Sequence, residues 1–148
     1  MSGDVISISL AQQQDFQFRN DFGASVPPLV SDEPAPLGQG EGPAPQQLLL
    51  AAVANCLSAS LLFALRKFKQ QGEPLQTTAS CLIDRNETGR LRVMSIDVTL
   101  RLGQSASGID HLDRILGGFQ EYCTVSQSVG RGIPIRVQVQ DADGSFLM

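Results

Sequence analysis

The sequence predicts an α+β fold in which antiparallel sheets pack on two central helices. Three observations predict it. Segments towards both ends of the chain alternate apolar and polar residues, as half-buried strands do. Leu48 to Leu65 runs 18 residues without a charge, which reads as a long apolar helix. Ile109, Leu112, Leu116, Phe119 and Cys123 recur at helical spacing and form a single apolar stripe. The resulting order is hairpin, long helix, hairpin, helix, strand, with no internal repeat.

In the first hairpin, Val5 to Leu10 places Ile6, Ile8 and Leu10 on one face and Ser7 and Ser9 on the other. Asp15 to Phe22 alternates again, with Phe16, Phe18 and Phe22 opposed to Gln17, Arg19 and Asp21. Gln12-Gln13-Gln14 is expected to link these strands, and Pro28 to Asp32 to form a third, short one. Glu33 to Pro45 has no periodicity and is rich in Pro and Gly, which predicts a flexible loop. Its Gly38, Gly40 and Gly42 do not make a phosphate-binding loop, because the spacing differs, no Lys-Ser/Thr follows and prolines interrupt it.

Pro45 opens the long helix at the position where a missing N–H matters least. Gly72 and Pro74 are expected to stop it, with Arg66, Lys67 and Lys69 complementing its negative end. About 27 residues would span roughly 40 Å, more than a domain of this size is wide, so part of the helix is expected to meet a second subunit. A helix apolar all round is either buried or membrane-spanning. Asn55, Ser58 and Ser60 and the missing aromatic belt favour burial in protein.

Thr77 to Arg85 and Arg90 to Leu102 form the second hairpin around Asn86 to Gly89, with Met94, Ile96, Val98, Leu100 and Leu102 inward. Ser107 is expected to cap the second helix, which Gly117-Gly118 weakens. Ile133 to Gln140 is the last strand. The expectation is one domain over residues 1–148: a hairpin and short strand over 1–32, a loop over 33–44, and a helix-hairpin-helix-strand body over 45–148.

Composition narrows the function. The net charge of −4 over 148 residues argues against nucleic acid as the main partner, and no block of like charge suggests a membrane-surface patch. A charged fraction of 18% is low for a small chain and points to surface covered by a partner, often a second copy. Three cysteines do not look like a secreted disulfide scaffold, and Met1-Ser2-Gly3-Asp4 does not start a signal peptide. The chain therefore reads as cytoplasmic.

Chemistry is expected at two thiols. Cys56 sits within the long apolar helix, and Cys123 ends the stripe of the second, so a Cys56–Cys123 meeting between the helices is plausible. On pattern alone the plainer reading is that both are core residues, since free cysteine behaves as a small hydrophobe; Cys81, between Ala79 and Ile83, reads as packing. A reactive Cys56 needs help, because an apolar site raises its pKa and it lies far from the helix N-terminus. Arg19, on the polar face of an early strand, is one candidate cation, against the plainer reading of a solvated edge charge. His111 is a candidate base, but a surface role suits it better.

Gly42-Pro43-Ala44-Pro45-Gln46-Gln47-Leu48-Leu49-Leu50-Ala51-Ala52, leading to Cys56, resembles the first cysteine motif of the OsmC/Ohr family. Cys123-Thr124-Val125-Ser126-Gln127-Ser128-Val129 resembles its second, Cys-Pro-Val-Ser-x-Ser-Leu. The element order is similar over nearly the whole chain. The resemblance implies a thiol peroxidase of the oxidative stress response, acting on organic hydroperoxides and built as an intertwined homodimer with active sites at the subunit interface. By it, Cys56 is the peroxidatic thiol and Cys123 the resolving one that closes a disulfide. An external dithiol restores both, in the hydroperoxide-resistance branch a lipoylated protein, and no cofactor is implied. Arg19 matches, by position, an arginine that stabilises the thiolate. Apolar residues of the long helix, Leu49, Val53 and Leu57, are expected to shape the substrate site.

Where that branch has a glutamate paired to the arginine, this chain has Gln46. A neutral amide can hydrogen-bond a guanidinium but adds no charge. Asn55 beside Cys56 and Thr124 in place of proline are lesser departures. They keep a second function open: a dimer that binds a small apolar ligand, or senses redox state, with little turnover.

Overall fold

The structure, a computed structural model, describes residues 2–148. The chain forms two compact units that meet at Leu49 and Leu50.

The first unit carries an antiparallel sheet of three strands in the order β1 (Ser9–Gln14), β2 (Gln17–Asp21) and β3 (Leu29–Ser31). The hairpin turns later than the alternation predicts. Asp15 adopts a left-handed φ of 48°, a conformation its short polar side chain tolerates, and Gln12 Nε2 donates to its carbonyl at 2.9 Å. Phe16, expected inside a strand, therefore lies in the turn, and the three glutamines expected to turn belong to β1. All six β1 residues are exposed, so their polarity does not oppose pairing.

The expected flexible loop is instead organised around one carboxylate. Asp32, 3% exposed, accepts from the backbone N–H of Glu33 at 2.7 Å, Gln39 at 3.3 Å and Glu41 at 3.1 Å. A Cβ on Gly38 would collide with the Glu33 carbonyl and the Asp32 carboxylate, and one on Gly42 with the Val30 carbonyl. The glycines allow the backbone to wrap closely.

The long helix, α1, spans Pro45–Lys67, about 34 Å at 1.5 Å per residue. Gln47 Oε1 reaches back to accept the Ala44 N–H at 2.9 Å, half of a capping box. The helix stops before Gly72: Lys69 takes a left-handed φ of 57°, Lys69 N–H bonds the Arg66 carbonyl, and Gln70 N–H bonds the Leu65 carbonyl at 2.8 Å. This is a Schellman ending with lysine where glycine is usual. By length and composition α1 could cross a bilayer, and 33% of its most apolar stretch is buried. Burial all round, the sequence expectation, does not hold for the single chain. Val53, Leu57, Ser60, Leu61, Ala64 and Leu65 are buried on one face, whereas Ala51, Ala52, Asn55, Ala59 and Phe63 are exposed.

The second unit holds a sheet in the order β4 (Gln76–Arg85), β5 (Leu91–Arg101) and β6 (Ile135–Gln140). The β4–β5 pair is an antiparallel hairpin, and β6 runs parallel to β5, which demands a long crossover. The core gathers Leu57, Leu61 and Leu65 of α1, Ile96, Val98 and Leu100 of β5, and Ile115, Phe119, Cys123 and Val139. Each such aliphatic or aromatic side chain contributes about 1.5–3 kcal/mol on burial. Met94, predicted inward, is exposed near the outer end of its hairpin.

The crossover corrects another expectation. In place of one helix from Ser107 to Cys123 there are a 3₁₀ turn at Ala106–Gly108, α2 over Leu112–Gly118, a second 3₁₀ turn at Phe119–Tyr122, and α3 over Thr124–Val129. His111, at a left-handed φ of 59°, and Gly117-Gly118 bracket α2. The buried positions become Ile109, Ile115, Phe119 and Cys123, with Leu116 only half-buried.

Candidate functional site

Cys56 and Cys123 lie together in the second unit. Cys56 stands on α1 between Val53 and Leu57, at the border of the buried face, and is half-buried. Cys123 is fully buried and sits at the N-cap of α3 in an extended conformation, φ −85° and ψ 95°. Its sulfur does what a serine or aspartate oxygen ordinarily does there, accepting the Ser126 N–H at 3.4 Å. Its carbonyl accepts from Gln127 N–H at 3.0 Å. The two thiols are close enough for Cys123 to act on the Cys56 thiol, and neither is in a disulfide.

Burial pushes the Cys56 thiol above its ordinary pKa, and the hydrogen bond and charge of Cys123 push the same way. The backbone N–H groups of Val125 and Ser126 oppose them without prevailing. The first turn of α3 thus supplies the partial positive charge that α1, entered eleven residues before Cys56, cannot bring to mid-helix. Sequence reasoning missed Val125 and Ser126, since the β-branched run Thr124-Val125 hides the helix. The available signal was a cysteine, a residue able to accept from an N–H three positions on, directly after an apolar stripe.

Arg19 and Gln46 belong to the first unit. Arg19 Nε donates to Asp21 Oδ1 at 3.2 Å, and both side chains are about half exposed. The carboxylate engaging the guanidinium is therefore Asp21, two positions along the same face of β2. Gln46 is exposed in the first turn of α1. Leu49 is half-buried. Val53 and Leu57 are core residues with no exposed surface, so neither presents a face to substrate in the single chain, against the expectation for them. His111 packs against Phe68 with ring centroids 5.6 Å apart. Cys81 is half-buried on β4 opposite Ile96. Among the described residues no group of His, Cys, Asp and Glu is placed to hold a metal ion.

Two adjacent thiols, one reached by solvent and one sealed, can pass through an oxidised sulfur on the first to a disulfide with the second. The sequence model of the family described as OsmC-like protein matches residues 38–138, which include both cysteines. The comparison with curated proteins found no match. Among solved structures, an OsmC-like protein of unknown function from Vibrio cholerae superposes with a TM-score of 0.78 at 15% identity, covering 93% of this chain and 99% of that one. An organic hydroperoxide resistance protein OsmC from Legionella pneumophila gives 0.72 at 13% identity, over 95% and 99%. An organic hydroperoxide resistance protein from Elizabethkingia anophelis gives 0.69 at 16% identity, over 95% and 99%. These likenesses speak for a common fold.

Proposed function

The chain belongs to the OsmC-like protein family, and from that premise we propose that it is a thiol peroxidase reducing organic hydroperoxides, with Cys56 as the attacking sulfur and Cys123 as the resolving one. The observation that carries this reading is the unequal exposure of two neighbouring thiols: Cys56 is half-buried and Cys123 fully buried, so a peroxide arriving from solvent meets Cys56 first.

The Cys56 thiolate attacks the outer oxygen of ROOH, and the O–O bond breaks. Sulfur is oxidised to the sulfenic acid, and the leaving alkoxide takes a proton to become the alcohol. Cys123 sulfur, losing its proton, then attacks the Cys56 sulfur. The S–S bond forms, and the sulfenic oxygen departs with that proton as water. A dithiol reduces the disulfide and is itself oxidised; a lipoylated protein is one such donor. The Val125 and Ser126 N–H groups favour the thiolate, and Arg19, oriented by Asp21, is the proposed cation that completes its stabilisation. A second copy of the chain is the proposed cover for the exposed α1 face, where Phe63 is 62% exposed, and for the open N-terminal strand.

The test is stoichiometric. One equivalent of an alkyl or aryl hydroperoxide should consume two thiols per chain and give a Cys56–Cys123 disulfide on peptide mapping. If both thiols remain titratable, the peroxidase reading is wrong. Gln46 and the raised Cys56 pKa favour the second reading, a ligand-binding or redox-sensing dimer; negligible turnover with several dithiols, together with a ligand-dependent rise in Tm, would establish it instead.

A further inference from the structure

The second unit has a crevice of about 260 Å³ lined by Gln120, Ser126, Gln127, Arg131, Ile135 and Val137, together with Gly130. Its two walls differ in chemistry. One side carries Arg131, Gln120 and Gln127, from α3 and the segments flanking it. The β6 side brings Ile135 and Val137, both half-buried. Among the described residues Arg131 is one of six arginines that take part in no ion pair, and the one of them that lines this crevice. Gln127 Nε2 donates to the Gln120 carbonyl at 3.1 Å, which fixes that amide against the wall and leaves its oxygen and second N–H free.

We infer that this crevice binds the carboxylate of a small molecule, its oxygens on Arg131 and the glutamine amides and its short carbon chain along Ile135 and Val137. A guanidinium presents parallel N–H donors that match a carboxylate's two oxygens, and an apolar floor beside them selects an acyl chain over inorganic anions. The volume suits a carboxylate with a chain of a few carbons seated in it. For its purpose the inference rests on the proposed peroxidase reading: Ser126, which lines the crevice, donates its N–H to the Cys123 sulfur at 3.4 Å, and a carboxylate held beside that donor is assigned to a molecule that works at the thiols. That molecule is either the hydroperoxide or the reducing dithiol.

Binding can be measured without turnover, in the Cys56→Ser protein, with butyrate as the probe and butyramide as the uncharged control. Butyrate at 50 mM should raise Tm by about 5–9 °C, as a ligand with a Kd of about 1 mM would, and butyramide should not. Arg131→Ala should weaken butyrate binding about tenfold or more in a calorimetric titration, and Arg131→Lys should recover only part of it. Equal shifts from both probes, or an unchanged affinity in Arg131→Ala, would overturn the site whatever the fate of the peroxidase reading. The source is then separated in the wild-type protein. Either a carboxylated hydroperoxide gains kcat/KM over its methyl ester, or dihydrolipoate gains over dihydrolipoamide, and Arg131→Ala removes the gain. Absence of both gains in an active enzyme would end the link to the thiols.

Discussion

Asp32 and Asp141 are 3% and 4% exposed, yet both carboxyls are held below the usual carboxylate range, while the less buried Cys56 is pushed above the usual thiol value. Burial acts upward on all three. For Asp32 it is the largest influence, but the N–H groups of Glu41, Glu33 and Gln39 together outweigh it. For Asp141 the Ala106 N–H leads, with Ser145, Asp143 and the charge of Arg101 in support. Cys56 has two N–H groups and a neighbouring thiol that opposes ionisation, and among the described residues no cation draws its pKa down. The fold thus separates acids whose charge holds loops together from an acid kept neutral, as the proposed resting state of Cys56 requires. What decides is the number of donors and the absence of like groups, more than depth alone.

If that division is right, removing the thiol and removing a carboxylate should fail in different ways. Cys56→Ser should cut hydroperoxide turnover by about 10³-fold or more while leaving Tm within a degree or two. A large loss of Tm, or turnover within tenfold of wild type, would show that Cys56 serves packing.

Asp141→Ala is the opposite case. It strips the acceptor from Ala106 N–H at 3.1 Å, Asp143 N–H at 3.0 Å and Ser145 N–H at 3.1 Å, leaving the link between the β5 exit and the C-terminal turn unmade. Tm should fall by on the order of 5 °C, with Cys56 still reactive towards an alkylating reagent under native conditions. A Tm unchanged by this substitution would mean water replaces the carboxylate without loss.

The same division predicts an asymmetric pH profile of stability. A carboxyl with a lowered folded pKa stabilises the protein above its unfolded value, about 4, and that contribution disappears as pH falls through the folded value. A thiol with a raised folded pKa acts the other way: its contribution is complete below about 8.5 and is lost as pH rises towards the folded value. Chemical denaturation across pH should therefore show an acid limb that flattens in Asp32→Asn and an alkaline limb that flattens in Cys56→Ser. Limbs that do not respond to their own substitution would assign the pH dependence elsewhere.

The sequence showed the strands of the second unit, the start of α1 and the pairing of two cysteine-bearing segments, because hydrophobic period and a proline at N1 are local signals. It misplaced what is set by backbone hydrogen bonds. Asp15 and His111 in left-handed conformations moved a turn and split a helix, and neither residue type advertises φ as glycine does. Asp32 converted a Pro/Gly-rich stretch into an ordered loop through three N–H contacts that composition cannot reveal. At the site, sequence pattern found the sulfurs but not the donors around Cys56, because those donors are main-chain groups of a helix only six residues long. Val53 and Leu57, apolar and near Cys56 in sequence, proved to be core because they share the face that packs inward.

The smallest effect sharpens the comparison most, since it touches only the donors. Thr124 is the first residue of α3 and is exposed, and Cys123 before it is already extended at φ −85° and ψ 95°. Both are conditions that a proline at 124 requires. Thr124→Pro should stabilise the fold by about 0.4–1 kcal/mol through the unfolded chain, a rise in Tm of about 1–3 °C. It should also hold the Val125 and Ser126 N–H groups more firmly towards the Cys56 sulfur. The Cys56 pKa, followed by thiolate absorbance in Cys123→Ser and Cys81→Ser backgrounds, should then move down from its raised value rather than up. A stabilised protein whose Cys56 titrates unchanged would show that these two donors are already as well fixed as the turn allows, and that the remaining control of the thiolate lies with a cation brought from outside the second unit.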